Sequence, residues 1–145
     1  MATLYTGFKG ARNSSYILVS QFSGEKLFLT NSFSGLRNDI ENLRQSYDKV
    51  YMFGLDKTLR NSVRIEECAQ KDGRALYTAI KSNEIVGRLM TNGICCSTSN
   101  NHTHYLCNEA YYYMLEKYER NAILIHIPPS RFISKEFSDS ILNTL

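Results

Sequence analysis

Apolar runs alternate with segments of helical periodicity along the whole chain. Leu4 to Phe8 reads as a first strand, followed by a loop through Gly10. Asn13 is placed to cap a helix through Ser14 to Phe22, with Ile17, Leu18 and Phe22 on one side. Glu25 to Thr30 is a second strand. A helix opening at Ser34 or Asn38 follows, because Leu36, Ile40, Leu43 and Tyr47 recur at helical spacing. Val50 to Gly54 is another apolar strand, and Val63 to Ala69 alternates as strands do. Glu84 to Met90 is helical and stopped by Gly93, and Ile94 to Ser97 reads as a buried strand. Tyr105 to Glu119 is a long helix and Ile123 to Ile127 a strand closed by Pro128-Pro129. Ser134 to Leu145 completes the pattern as an amphipathic helix through Phe137, Ile141 and Leu145.

Strands alternating with helices of this length imply crossover connections. The fold class is therefore α/β: a three-layer αβα sandwich around a mostly parallel central sheet. Ligands of such sheets bind beyond the carboxyl ends of the strands. No repeat, low-complexity tract or interior linker breaks the rhythm, so residues 1–145 are expected to form a single domain. A chain of 145 residues can bury such a core with little to spare.

Charge and cysteine usage narrow the function. The net charge is +3, and the basic residues (Lys9, Arg12, Lys26, Arg37, Arg44, Arg60 and Arg88 among them) form no run, so nucleic acid is not an expected partner. No apolar stretch has membrane-spanning length, and the N-terminus lacks the charged start and long apolar region of a signal peptide. A cytoplasmic protein with reduced thiols is expected. Cys95 and Cys96 are adjacent and Cys68 and Cys107 stand alone; without a Cys-x-x-Cys, a zinc ribbon or thioredoxin-type site is not expected.

Two residues stand out chemically. Cys107 lies at the head of a helix, where the positive end of the macrodipole favours thiolate and lowers the pKa. His126 lies at a strand end fixed by two prolines, pointing away from Ile125 and Ile127. Taken singly, each also reads as a core residue, a small buried thiol or a histidine satisfied by a carbonyl. Together, on adjacent αβ units, they read as a nucleophile and its base. Glu66 and Glu67 face opposite sides of a strand, so one can orient the histidine while the other is solvated; both also read as plain surface charges. His102 and His104 form a His-x-His, but no further ligand falls at a convincing spacing, and no metal site is expected. Of Tyr111, Tyr112 and Tyr113, which wrap around a helix, at least one must be buried. Thr6-Gly7-Phe8-Lys9-Gly10 has too few glycines for a phosphate loop, which argues against a nucleotide-binding flavodoxin-like domain.

At these residues the chain resembles the pyroglutamyl peptidase I (pyrrolidone carboxyl peptidase) family. The resemblance is carried by Tyr105-Leu106-Cys107-Asn108, by Tyr111-Tyr112-Tyr113 and by Ile125-His126-Ile127-Pro128-Pro129. Val63-Arg64-Ile65-Glu66-Glu67-Cys68-Ala69 resembles the segment bearing the family's catalytic glutamate. Thr6-Gly7-Phe8 with Asn13-Ser14-Ser15 resembles its N-terminal motif, and Asp72-Gly73-Arg74 its arginine segment. The resemblance implies a phosphorylase/hydrolase-like sandwich with a Glu66–Cys107–His126 triad and neither metal nor organic cofactor. It further implies Phe8 as one aromatic wall of a lactam pocket and Arg74 as an aid on the oxyanion side. Peptides with a blocked N-terminus would be the substrates, and a homo-oligomer the assembly. Lys9-Gly10-Ala11-Arg12 replaces the family's second aromatic wall, and His102-Thr103-His104 replaces the small residues before its Tyr-Leu-Cys. The expected activity is removal of an N-terminal pyroglutamyl or similar small group. The alternatives are a thiol amidohydrolase with another substrate and a non-catalytic binding protein on the same fold.

Overall fold

The computed structural model describes residues 2–101 and 105–145. Its main sheet is six-stranded, in the order β2-β1-β3-β8-β4-β7. These strands are β1 (Thr3–Phe8), β2 (Glu25–Leu29), β3 (Lys49–Leu55), β4 (Ser62–Glu66), β7 (Cys95–Ser99) and β8 (Ala122–Ile127). A second sheet pairs β5 (Cys68–Lys71) with β6 (Arg74–Tyr77). Every pairing in the main sheet is parallel except that of β4 with β8, so β4 and β7 run against the other four strands.

Both faces of the sheet are covered. Leu4, Val50, Met52, Ala122 and Leu124 meet Leu36 and Ile40 of α2 (Phe33–Glu41) and Ala110, Tyr111, Met114 and Leu115 of α4 (Tyr105–Lys117). On the opposite face, Tyr51, Phe53, Val63, Ile65, Ile123, Ile125 and Ile127 pack with three helices. These are α1 (Ser14–Val19), α3 (Ser82–Thr91) and α5 (Lys135–Thr144), which contribute Leu18, Val19, Ile85, Leu89 and Ile141. Strict alternation along β3 and β8 sorts these side chains between the two layers. The expected αβα sandwich with a mostly parallel sheet is thus the observed architecture.

The N-terminal motif has a packing role. Asn13 caps α1, its Oδ1 accepting from Ser15 N at 2.9 Å and Ser15 Oγ at 2.6 Å. Ser15 Oγ in turn accepts from Phe8 N at 3.0 Å. A methyl group at Gly7 would lie 2.6 Å from Ser15 O, so only glycine admits this approach of helix to strand. At six residues α1 is too short to hold itself, and burial of Leu18 and Val19 stabilises it.

Three expectations are corrected. The second helix is capped by Ser32, whose side chain accepts from Gly35 N at 3.0 Å; it ends at Glu41, leaving Leu43 and Tyr47 outside. Val63 to Ala69 is not one strand: β4 ends at Glu66, and Cys68 onward leaves the main sheet to form the β5–β6 hairpin against α4. Finally, β7 is a mostly exposed edge strand rather than a buried one, with Ile94 buried just before it. Among the described residues no helix is long and apolar enough to cross a membrane.

Candidate active site

The row of core residues facing α4 turns polar at one end of the sheet. Along β3 the row runs Val50, Met52, Gly54, and along β8 it runs Ala122, Leu124, His126. Gly54 is the register partner of His126, which on its other side is paired with Arg64 of β4. Glu66, two residues beyond Arg64, shares that face. Above this row passes the first turn of α4, of which Cys107 is the third residue.

Gly54 is what lets these groups meet. A methyl group there would lie 2.8 Å from Cys107 Sγ and 3.3 Å from His126 Nε2. The thiol and the imidazole nitrogen therefore border the same space, the one the glycine leaves. On the far side of the ring, His126 Nδ1 is 3.4 Å from Glu66 Oε1. His126 and Glu66 are both buried, and Glu66 Oε2 has no protein partner among the described residues.

The first turn of α4 is fastened from below. Asn108 Oδ1 accepts from Gln70 N at 3.0 Å, and its Nδ2 donates to Gln70 O at 2.7 Å, tying the helix to β5. The hydroxyl of fully buried Tyr111 donates to Glu66 O at 2.7 Å. Tyr112 is buried as well, so the tyrosine run belongs largely to the core. These contacts fix the turn that carries Cys107 and the strand end that carries Glu66 by side chains far apart in sequence.

An arginine that the sequence pattern did not single out stands inside the cluster. Arg64 Nε donates to Glu66 Oε1 at 2.6 Å, and its Nη2 donates to Asp56 Oδ2 at 2.7 Å and lies 3.5 Å from His126 Nδ1. Asp56 is locked by Thr58, whose N and Oγ1 donate to Oδ1 at 2.8 and 2.6 Å. Burial acts to raise the Asp56 pKa, but the Thr58 hydrogen bonds and the Arg64 guanidinium outweigh it and hold it at about 2. Burial likewise opposes the charge of Arg64, and the two carboxylates outweigh it. The available signal was spacing: Arg64 is two residues from Glu66 on an alternating strand.

Cys107 departs from the expectation of an activated thiolate. Burial pushes its thiol up to about 12, and the carboxylates Asp56 and Glu66 add to the effect. The residue as a whole is half-buried, but its sulfur is enclosed between helix and sheet. Enclosure comes first among these causes and the two negative neighbours follow. A thiol whose pKa is raised on folding binds its proton more firmly in the native state. The stability this contributes is complete below the unfolded value, roughly 8.5, and is lost as pH rises through 12. Iodoacetamide is expected to label exposed Cys95 first and to leave Cys107 unlabelled until strongly alkaline pH. Peptide mass spectrometry checks this; labelling of Cys107 at pH 8 as fast as Cys95 would show an ionised thiol.

The other candidates are dispersed. Phe8 is buried at the end of β1, in the core layer against which Cys107 packs. Arg74 opens β6 opposite Lys71 and is exposed. Among the described residues no contact joins it to Glu66, Cys107 or His126, and the guanidinium beside them belongs to Arg64. His102 and His104 lie outside the described residues. Among those described, no group of three His, Cys, Asp or Glu side chains is placed to hold a metal ion.

A thiol, an imidazole and a buried carboxylate, aligned on an α/β sandwich, define the class of arrangement found in thiol hydrolases. No protein-family model and no curated protein matches the chain. Solved structures do, several pyrrolidone carboxyl peptidases among them. That of Thermus thermophilus is 21% identical over 98% of this chain and 97% of its own, with a TM-score of 0.78. That of Fervidobacterium islandicum is 19% identical over 99% and 94%, with a TM-score of 0.79. Pyroglutamyl peptidase I of Bacillus amyloliquefaciens is 16% identical over 97% and 93%, with a TM-score of 0.76. The chain has the fold of the pyrrolidone carboxyl peptidases.

Proposed function

We propose that this protein is a cysteine-type peptidase that removes an N-terminal pyroglutamyl, or similarly small, group from peptides, with residues 1–145 as one catalytic unit. The observation that carries this reading is that Cys107 Sγ and His126 Nε2 both border the space above Gly54, with Glu66 behind the ring. Cys107 Sγ attacks the carbonyl carbon of the scissile amide while His126 Nε2 takes the thiol proton. Because the resting thiol is protonated, proton transfer must accompany attack, as it does for a serine nucleophile. The tetrahedral intermediate collapses with cleavage of the C–N bond, and His126 gives the proton to the departing amine. Water then adds to the thioester with His126 as base, releasing the free acid and restoring the thiol. Glu66 holds the ring and favours imidazolium. Backbone N–H groups in the first turn of α4 are suited to the oxyanion. Phe8 as a wall of the lactam pocket, Arg74 on the oxyanion side, a homo-oligomer and a cytoplasmic location enter on resemblance alone.

A second reading has its own observation. The raised thiol pKa and the hold of Arg64 on Glu66 both suit a binding protein that keeps the fold without turnover. Hydrolysis of a fluorogenic pyroglutamyl amide by the unsubstituted protein, by Cys107→Ser and by His126→Ala separates the two. Turnover lost in both variants is the expected result. No release from this or other N-terminally blocked amides, with a pyroglutamyl peptide still bound, would favour the binding protein.

A further inference from the structure

Arg64 poses a problem for the carboxylate it touches. A guanidinium 2.6 Å from Glu66 Oε1 offsets the charge that should support an imidazolium. Its Nη2, 3.5 Å from His126 Nδ1, is also placed to present an N–H to that nitrogen. That would leave the ring proton on Nε2, the tautomer that cannot accept the proton of Cys107. Asp56 answers the charge difficulty, and Glu66 Oε1, 3.4 Å from the same Nδ1, favours the ring proton there. At 2.7 Å Asp56 accepts from one of the two N–H groups of Nη2 and sets its negative charge beside the guanidinium, and its own position is set by Thr58. Two carboxylates against one guanidinium leave a net negative charge beside neutral His126, and none once the ring is protonated. We propose that Asp56 and Arg64 are positioning residues in a relay Asp56–Arg64–Glu66–His126, in which Asp56 offsets the guanidinium so that Glu66 acts on the imidazole.

Among the described residues, the titratable groups facing this ring are Cys107 from α4, Arg64 and Glu66 from β4, and Asp56 from the loop after β3. At its register position β3 itself contributes only Gly54. The catalytic sense of the relay rests on the peptidase reading, but its charge balance does not. Imidazole C–H resonances, with three histidines to assign, report the titration of His126 directly. The midpoint is expected to fall by about half a unit or more in Asp56→Asn and to rise by about a unit in Arg64→Gln. Should Arg64→Gln fail to fold, Asp56→Asn alone supplies the sign. The acid limb of kcat/KM is expected to move with the midpoint, which a loss of packing alone would not cause. A midpoint that stays still or rises in Asp56→Asn overturns the relay, whatever the turnover. A midpoint that moves as expected in a protein without turnover upholds the relay and counts against the peptidase reading alone.

Discussion

Gly54→Ala is expected to lower kcat/KM on a pyroglutamyl amide by about a hundredfold or more while the protein still folds. The added methyl group would lie 2.8 Å from Cys107 Sγ and 3.2 Å from His126 Cδ2, closer to the sulfur than unbonded atoms approach. Something must shift. The imidazole is held between its sheet neighbours and Glu66, and α4 is fastened by Asn108 and Tyr111. The thiol is therefore displaced, by turning out of its rotamer or by lifting the first turn of the helix. Displacement of a nucleophile by a fraction of an ångström harms attack far more than it harms folding. A urea midpoint near that of the unsubstituted protein, measured beside the kinetics, separates the two effects. Full activity in Gly54→Ala would show that the thiol and the imidazole do not work across this space.

The largest stability loss is expected in Glu66→Ala, at about 3 kcal/mol. The side chain is 2% exposed and its charge is met by Arg64, itself 23% exposed. Removing the carboxylate leaves a partly buried guanidinium with Asp56 as its remaining anion and opens a cavity beneath His126. The retained Asp56 pair and the partial exposure of Arg64 place the loss at the low end for a broken buried pair. Glu66→Gln keeps an oxygen for Arg64 Nε and should lose about half as much. Urea denaturation at neutral pH measures both. Equal losses in the two variants would mean that the charge of Glu66 accounts for the whole effect and that the oxygen kept by Gln contributes nothing.

Much of this arrangement was readable in the chain. Alternating strands and amphipathic helices define the sandwich, and the strand carrying Ile123, Ile125 and Ile127 on one side had to carry Leu124 and His126 on the other. Less legible was the direction of β4: Val63 and Ile65 announce a strand, but whether it runs with or against its neighbour depends on a connection without periodicity. The β5–β6 hairpin escaped because the apolar residues of Cys68 to Tyr77 sit at its two ends without alternation; it is held by Asn108, 38 residues away from Gln70. The thiol misled for a related reason. Its place in a helix is local and visible, whereas its enclosure and its carboxylate neighbours come from β3, β4 and the loop after β3. Arg64 and Asp56 were not singled out because nothing in their own segments shows the histidine beside them.

The register of β8 binds the chemistry to the core. His126 and Leu124 alternate with Ile123, Ile125 and Ile127, which fill the opposite layer. Inserting or deleting one residue within the strand would turn the imidazole into that apolar layer and an isoleucine toward Cys107. The hairpin turn at Asp72-Gly73 lies outside the main sheet, and a residue added there shifts nothing in it. Length variation among descendants of this chain should therefore collect at such turns, while β8 changes by substitution alone.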